Sequence, residues 1–509
     1  MSPRTASSVP TTLVQLDPGA ATPAYRQIGD SLREAIVAGR LAAAAPIPGT
    51  RLLASDLGVS RNTVNAALAQ LRAEGYVVAR PRAGTFVNGR LPDALLTVGA
   101  PRLRERRTDR AAGQPPRSPA PRRSNRSLAL AALPLAAGRS LVQPARPFQT
   151  GVPALEAFPW ATWARLLGQC TRRSGAALSG YGSVLGHLPL REAIAAHVSA
   201  ARGARCAAGQ VLVTTGAQQA LDLVSRVLVD PDDAVWVEDP GYPAARGVFV
   251  GAGARVVPVG LDAEGLRLPR PGAAAPRVIY VTPSRQYPTG VTMSAARRLA
   301  LLQRADADAA WIVEDDYDSE FRYASRPLSC LQGLDEGGRV IYVGTFSKTL
   351  FPGLRLGYLI VPDGLVDAFG EARAVSDRQP PGIEQAALAE FIRLGHFARH
   401  VRRMRALYEE RRDALLEAAP GLLGDGVTFG DTAAGMLALA WLPEGVDDRA
   451  VWEKALAAGV EAPPLSSYCI RPPARGGLLL GYAGYPPEAL RGALRRLGAA
   501  IRACRPRRI

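Results

Sequence analysis

Lysine is almost missing from this chain. Lys348 and Lys454 are the only two among 509 residues, against sixty arginines. Where this sequence needs positive charge it uses arginine, so a retained lysine points to chemistry closed to a permanently protonated guanidinium. An amine can lose its proton and form a Schiff base. Cysteine is scarce as well. Cys170, Cys206, Cys330, Cys469 and Cys504 show no paired spacing, which excludes a disulfide framework or cysteine zinc site and leads us to expect a reducing, cytoplasmic setting. Histidine numbers four. His396 and His400 lie four apart among Arg399, Arg402 and Arg403, too few ligands for a metal, and none is expected. Long apolar runs are absent too. The longest, near Leu128 to Ala137, contains Pro134 and ends at Arg139, short of the roughly 20 residues that cross a bilayer. The N-terminus has no charged-then-apolar leader pattern, so no membrane partner is expected.

What is present suffices for two or three domains. Apolar residues make up 47% of the chain and the net charge is +17, a balance suited to nucleic acid or acidic ligands. Residues 101–126 hold nine arginines against Glu105 and Asp109. From about Arg90 to Arg146 the chain is rich in Pro, Arg, Ala and Ser with little periodicity, which predicts a long tether over 90–146. Its charge serves either as a solvated linker or as general attraction for phosphate.

Before the tether, residues 17–89 carry helical periodicity. Tyr25, Ile28, Leu32, Ile36 and Val37 form one stripe. Pro46, Pro48 and Gly49 break the chain. A short helix over Thr50 to Leu57 should bury Leu52, Leu53 and Leu57. After a Gly58-Val59 turn, Ser60 caps a helix reaching Glu74, with Val64, Leu68 and Leu71 inward. Tyr76-Val77-Val78 and Thr85-Phe86-Val87 flank Arg80-Pro81-Arg82-Ala83-Gly84, a hairpin with a basic tip. This order is a winged helix-turn-helix. Ser60, Arg61, Asn62, Thr63 and Asn65 are hydrogen-bonding side chains at the end that enters a major groove. Arg and Asn suit base edges, Arg51 and Ser60 suit phosphates, and Arg80, Arg82 and Gly84 form the wing.

From 147 to 509, strand-like runs (Val211–Val213, Ala234–Val237, Val278–Val281, Trp311–Glu314, Val340–Val343) alternate with helical patterns, predicting an α/β domain with a largely parallel sheet. Polar motifs follow these strands, where open α/β sheets bind ligands. Thr215-Gly216-Ala217 opens a helix and can cradle a phosphate. Glu238-Asp239-Pro240-Gly241-Tyr242 offers a ring on a turn. Thr282 to Gly290 makes another polar turn, containing Tyr287. Glu314-Asp315-Asp316-Tyr317 ends a strand in three carboxylates, readable as a solvated acidic loop or as a partner for a pyridine nitrogen. Lys348 follows the last strand, and Arg355 lies seven residues on, past a Pro-Gly turn.

These motifs carry two resemblances. Pro48 to Ala54, Leu57 to Val64, Glu74-Gly75-Tyr76 and Gly84 to Val87 resemble the GntR family of bacterial regulators, although Ile47-Pro48-Gly49 replaces its usual Leu-Pro-Ser and Arg82 replaces a wing glycine. Ser347-Lys348 with Pro352 to Gly357 resembles the fold-type I pyridoxal-phosphate aminotransferases. Together with Glu314 to Tyr323 and His400 to Tyr408, the chain is identified as a member of the MocR subfamily, a winged helix joined to an aminotransferase-like domain. That resemblance implies that Lys348 carries pyridoxal 5′-phosphate as a Schiff base. Asp315 would face the pyridine nitrogen, Tyr317 the ring oxygen and Tyr242 the ring face. Gly216, Ala217, Thr345, Ser347 and Arg355 would surround the phosphate. Tyr181 would reach the phosphate of a second subunit, implying a homodimer on double-stranded operator DNA. Tyr287 stands where aminotransferases place an asparagine, and Leu479 where they place an arginine for the substrate carboxylate, with Arg471 and Arg475 as nearby substitutes. Three readings follow: a regulator sensing a cofactor–amine adduct, a regulator sensing the cofactor itself, and a working aminotransferase with an appended DNA-binding domain. Steady multiple turnover with an amino donor and a keto acceptor would single out the last.

Overall fold

Apolar residues at helical spacing, separated by glycine turns, make the first part of the chain fold as short helices and a hairpin. The computed structural model describes residues 14, 16, 17, 19–80, 83–89, 123–131, 133, 145–270, 274–323 and 328–505. The chain divides into two compact units, Met1–Pro119 and Ala120–Ile509. Arg82, most of residues 1–19 and most of the expected tether, including nearly all of its arginine-rich stretch, lie outside the described residues.

In the first unit α1 (Ala24–Val37) leads to a two-residue strand β1 (Pro46–Ile47), then α2 (Thr50–Asp56), α3 (Arg61–Ala73) and the hairpin β2 (Val77–Arg80) and β3 (Gly84–Val87). Ile28, Leu32 and Ile36 meet Leu53, Val64, Leu68 and Leu71 in one core, closed by Tyr76, Val77 and Val87. Two side chains expected inside are exposed, Val37 and Leu52. Leu53 and Ala54 take the buried face of this seven-residue helix, and at 100° per residue Leu52 turns out of it. β1 was not expected. Ile47 pairs with Thr85 and Pro46 with Phe86, making the wing a three-stranded sheet with proline on its edge strand. Arg33 binds Glu74 at 2.5 Å, tying α1 to the end of α3.

The second unit begins with α4 (Asn125–Ala131), which lies inside the stretch expected to be irregular. Ser124 Oγ accepts the Ser127 N–H at 3.1 Å, an N-terminal cap. None of its residues is buried, so it carries no one-sided apolar stripe for the sequence pattern to reveal. Next come α5 (Trp160–Leu178), α6 (Leu188–Arg202), β4 (Val211–Thr214), α7 (Ala217–Leu228), β5 (Ala234–Asp239), α8 (Pro243–Ala252), β6 (Arg255–Asp262), β7 (Gly265–Leu266), β8 (Val278–Val281), α9 (Ala295–Ala307), β9 (Trp311–Asp316), the short α10 (Leu331–Leu334), β10 (Val340–Thr345) and β11 (Gly357–Ile360).

Eight of these strands form one sheet in the order β4-β11-β10-β9-β8-β5-β6-β7. The core pairs are parallel, as expected. The sheet is nevertheless mixed, because β11 runs antiparallel between β10 and β4, and β7 folds back on β6. The connection from Thr345 to Gly357 is too short for the crossover that a parallel neighbour requires. Ile341 and Val343 of β10 enter one core layer and Tyr342 the other, which is why these strands read as unbroken apolar runs.

Helices α11 (Val366–Ser376), α12 (Gly382–Arg393) and α13 (His396–Leu423) lead to a smaller sheet of β12 (Thr428–Phe429), β13 (Leu437–Trp441) and β14 (Gly477–Gly481). That sheet packs with α13, α14 (Asp448–Ala457) and α15 (Pro487–Cys504) around Met404, Tyr408, Leu480 and Leu494. No described helix is long and apolar enough to cross a membrane.

Leu71 is fully buried at the centre of the first unit's core. Leu71→Ala is expected to destabilise that unit by about 2–5 kcal/mol. Calorimetry on the whole chain would check this: the transition of the first unit should move down while that of the second holds its temperature.

Candidate functional site

Parallel strands deliver their last residues to one edge of the sheet. Val343 of β10 lies opposite Asp315 of β9, Val281 of β8 opposite Glu314, and Val237 of β5 opposite Tyr280. The polar turns after β4, β5, β8, β9 and β10 therefore converge, and the antiparallel β11 begins at the same edge, Gly357 facing both Thr345 and Thr214. Gly357 has to be glycine because a Cβ there would lie 2.9 Å from the Gly216 backbone and the Gly344 carbonyl. This close approach brings the Arg355 turn onto the start of α7.

The three consecutive carboxylates are all buried, which rules out the solvated-loop alternative. Each has a separate duty. Glu314 accepts the N–H groups of Leu331 and Gln332 at 2.9 and 3.0 Å, holding α10. Asp316 pairs with the buried Arg202 at 2.8 Å and accepts the Tyr342 hydroxyl at 2.6 Å. Asp315 accepts the Tyr280 hydroxyl at 2.7 Å through Oδ2, while its buried Oδ1 has no hydrogen-bond partner. Burial pushes Asp315 up to about 6, against the Tyr280 hydrogen bond and the attraction of Lys348.

Lys348 donates to the Gly151 carbonyl at 3.3 Å. Burial lowers its pKa, and Asp318 and Asp315 hold it up. Asp318 is raised to about 6 by burial, with Arg285 opposing. The Arg285 guanidinium stands 3.8 Å from Asp318 and donates to the Tyr317 hydroxyl at 3.5 Å. Its other N–H groups are spent on the carbonyls of Ala434, at 2.9 Å, and Leu437, at 2.7 Å.

Four half-buried tyrosines surround this space. Tyr287 meets Tyr242, Tyr317 and Tyr468 edge-on, with ring centroids 5.5–5.6 Å apart. The hydroxyls of Tyr287 and Tyr468 reach each other and Thr150, the residue before Gly151. On the other side Arg355, with a left-handed φ of 52°, donates to the Thr215 carbonyl at 2.8 Å beside Gly216. A Cβ on Gly216 would sit 3.3 Å from that guanidinium. Ala217 opens α7 there, and Thr345 Oγ1 accepts the Ser347 N–H at 3.2 Å. Tyr181 stands apart, 85% exposed, with Arg378 over its ring at 4.8 Å.

The sequence reading missed Tyr280, Arg202, Arg285 and Tyr468. Tyr280 and Arg202 carried a readable mark: a hydroxyl in the otherwise aliphatic Val278–Val281, and a guanidinium on the apolar face of α6. Tyr468 had none, because it lies far along the chain and only the tertiary fold returns it to Tyr287.

In the first unit Arg51, Ser60, Arg61, Asn62 and Asn65 are exposed and Thr63 is half-buried. Ser60 Oγ caps α3, accepting the Thr63 N–H at 3.1 Å, a structural duty alongside any phosphate contact. Arg80 stacks on Phe86 at 4.7 Å, and Gly84 takes φ 108° at the wing turn.

Without a cofactor, the raised carboxyls Asp315, Asp318 and Glu314 bind more protons folded than unfolded. Stability should then fall as pH rises from about 4 to about 7. The melting temperature of the cofactor-free protein is expected to drop across that window, and Asp315→Asn to flatten the slope. An identical slope in the variant would mean that Asp315 is already ionised at the acid end.

Comparison with known proteins accords with this geometry. The model for bacterial regulatory proteins of the gntR family matches residues 24–87, and the model for aminotransferase class I and II matches residues 154–497. The chain is 42% identical over 490 residues to the "Probable rhizopine catabolism regulatory protein MocR" of Rhizobium meliloti, covering 96% of each chain. It is 35% identical to the HTH-type transcriptional regulator TauR of Rhodobacter capsulatus, covering 97% of this chain and 100% of that one. The second unit superposes on the crystal structure of Pyrococcus horikoshii kynurenine aminotransferase, solved in complex with PMP, with a TM-score of 0.69 and 29% identity over 75% of this chain and 96% of the other. A gntR-type winged helix and an aminotransferase-type sheet in one polypeptide, with relatives that match 96–97% of this chain, show that the chain belongs to the MocR subfamily of GntR transcriptional regulators.

Proposed function

We propose that the aminotransferase-like domain holds pyridoxal 5′-phosphate on Lys348, and that its occupancy, by the cofactor alone or joined to a small amine, sets how the winged helix grips its operator. One observation carries this reading. The chain keeps an amine of lowered pKa beside an Asp315 oxygen that is buried without a partner, in the same polypeptide that exposes Arg61, Asn62 and Asn65 on the first turns of α3.

The residues fit that cofactor by their chemistry. An unpartnered buried carboxylate oxygen costs several kcal/mol unless a cation or donor meets it, and a protonated pyridine nitrogen is such a donor. Gly216, Ala217, Thr345, Ser347 and Arg355 offer backbone N–H groups, hydroxyls and one fixed cation for a phosphate. Tyr317 would face the ring oxygen, with Tyr242 and Tyr287 against the ring. When bound, pyridoxal phosphate supplies an aldehyde carbon that primary amines capture. Tyr280 keeps Asp315 oriented, Asp318 and Arg285 neutralise each other, and burial lowers the Lys348 pKa, which favours the nucleophilic form of its amine.

In this reading residues 17–89 read DNA, residues 147–509 sense the ligand and residues 90–146 connect them. The connection has a foothold on the sensor. Leu130 of α4 lies over Gly251 of α8, where a Cβ would meet its methyls at 3.6 Å, and α8 starts just after Tyr242. A shift of the Tyr242 end on ligand binding would be felt where the connecting chain leaves the domain. Exposed Tyr181 supports a homodimer in which it reaches the other subunit's phosphate, two readers then gripping two half-sites in the cytoplasm. A ligand acts by favouring one of two arrangements. A working aminotransferase is not favoured, because the relatives that span the whole chain are named as regulators.

The test is binding of the purified protein to DNA upstream of its own gene, with and without pyridoxal phosphate, beside Lys348→Ala. We expect the cofactor, or the cofactor with an amine, to change affinity or footprint, and the variant to lose the response. A variant that responds as the native protein does would sink the sensing model. Arg61→Ala should weaken operator binding by about 1–3 kcal/mol and relax specificity. A loss equal on all sequences would make Arg61 a phosphate contact instead.

A further inference from the structure

Among the described residues, the compartment beside Lys348 holds no further cation to spare for an acidic ligand. Its wall is Tyr242, Tyr287, Tyr317 and Tyr468. Behind Tyr287 and Tyr468 lies a buried apolar cluster of Leu439, Leu465 and Leu479. Leu479 is fully buried in β14, and Leu439 stands opposite it on β13.

The described arginines that reach this end of the sheet are already engaged. Arg355 is held by the Thr215 carbonyl at the start of α7. Arg285 is divided among two carbonyls, the Tyr317 hydroxyl and Asp318. Arg246 and the unpartnered Oε1 of Glu238 border a void of about 10 Å³ behind Tyr242, room for one water molecule and not for a carboxylate. Arg475 donates to the Gly426 carbonyl at 2.9 Å and to that of Leu442, away from the tyrosines. Arg471 turns to solvent while its backbone N–H binds Asp239 at 3.1 Å. Both arginines considered as substitutes at Leu479 are thus committed elsewhere or exposed.

The field in this space is set by Lys348 and two aspartates. With Asp315 taken by the cofactor and Asp318 paired with Arg285, a carboxylate brought in beside them would be desolvated and would find no free counterion among the described arginines. Tyrosine hydroxyls and ring edges accommodate hydroxyl-bearing and apolar groups at no such cost.

We propose that the ligand of this compartment is a primary amine that carries no carboxylate on its amine-bearing carbon. This rests on the amine-sensing form of the function proposed above. It separates the protein from an amino-acid sensor, and gives Leu479 and Tyr468 a role in choosing the ligand class.

Matched pairs test it on the full-length, cofactor-loaded native protein: 2-phenylethylamine against phenylalanine, ethanolamine against serine, isobutylamine against valine. Binding is read from the absorbance of the bound cofactor and, independently, from the melting temperature; operator affinity is measured alongside. Each amine is expected to bind at least about tenfold tighter than its carboxylated counterpart, a ratio visible in both binding readouts. Equal or tighter binding of the amino acids overturns the proposal and leaves the sensing function standing. Absorbance that shows the cofactor bound, while no compound of either class changes any readout, overturns the proposal together with amine sensing. Amines that bind tighter yet leave operator affinity unchanged support the ligand class and count against the regulatory reading alone.

Discussion

Three adjacent carboxylates buried at the end of one strand are the constraint around which the second unit is arranged. Burying a carboxylate costs several kcal/mol unless donors or cations meet it. Glu314 is satisfied by the N–H groups that begin α10, and Asp316 by Arg202 and Tyr342. Only Asp315 keeps an unmet oxygen, and it is the one whose neighbour is Lys348. The partners of the outer two come from α6, β10 and the start of α10, so satisfying them locks those elements around β9. The stability invested in Glu314 and Asp316 leaves Asp315 rigid and available.

The sheet converts this local arrangement into a site. Parallel pairing aligns the ends of β5, β8, β9 and β10 at one edge, and the antiparallel β11 returns the chain so that Arg355 meets Gly216. Glycine at 357 permits the approach, since any side chain would collide with backbone on both neighbours. Backbone geometry therefore brings Arg355 onto the start of α7. The aromatic compartment beside it is made by side chains from remote segments, Tyr287 after β8 and Tyr468 before β14. The approach of Arg355 to Gly216 follows from the fold that this chain has in common with aminotransferases, whereas the aromatic wall is where the proposed ligand choice would be made by this chain's own residues.

In the first unit the same division holds on a smaller scale. The core of α1, α2 and α3 is set by residues at helical spacing, and Ser60 both starts α3 and orients the exposed turn that follows. Its core draws only on its own helices and hairpin, in a compact unit separate from the sheet. Under the proposed function, that property would let a ligand in one unit act on DNA held by the other.

Much of this was legible in the chain itself. Local periodicity and turn chemistry gave α3 to within a residue, the wing hairpin, the core parallel strands and the motifs that end them, because these depend on neighbours a few residues away. The scarcity of lysine singled out Lys348, and the spacing of Asp315, Tyr317 and Arg355 around strand ends placed them at one edge. The tertiary structure alone decided what depends on distant partners. It turned Leu52 outward, paired Pro46-Ile47 with the wing and inserted β11 antiparallel. It gave α4 a seat on α8, divided Glu314, Asp315 and Asp316 into two fully engaged groups and one with an unmet oxygen, and brought Tyr468 to Tyr287. The physical reason is that hydrogen bonds and burial are satisfied in space. Sequence records which groups need partners, and only the packed chain determines which partner each one finds.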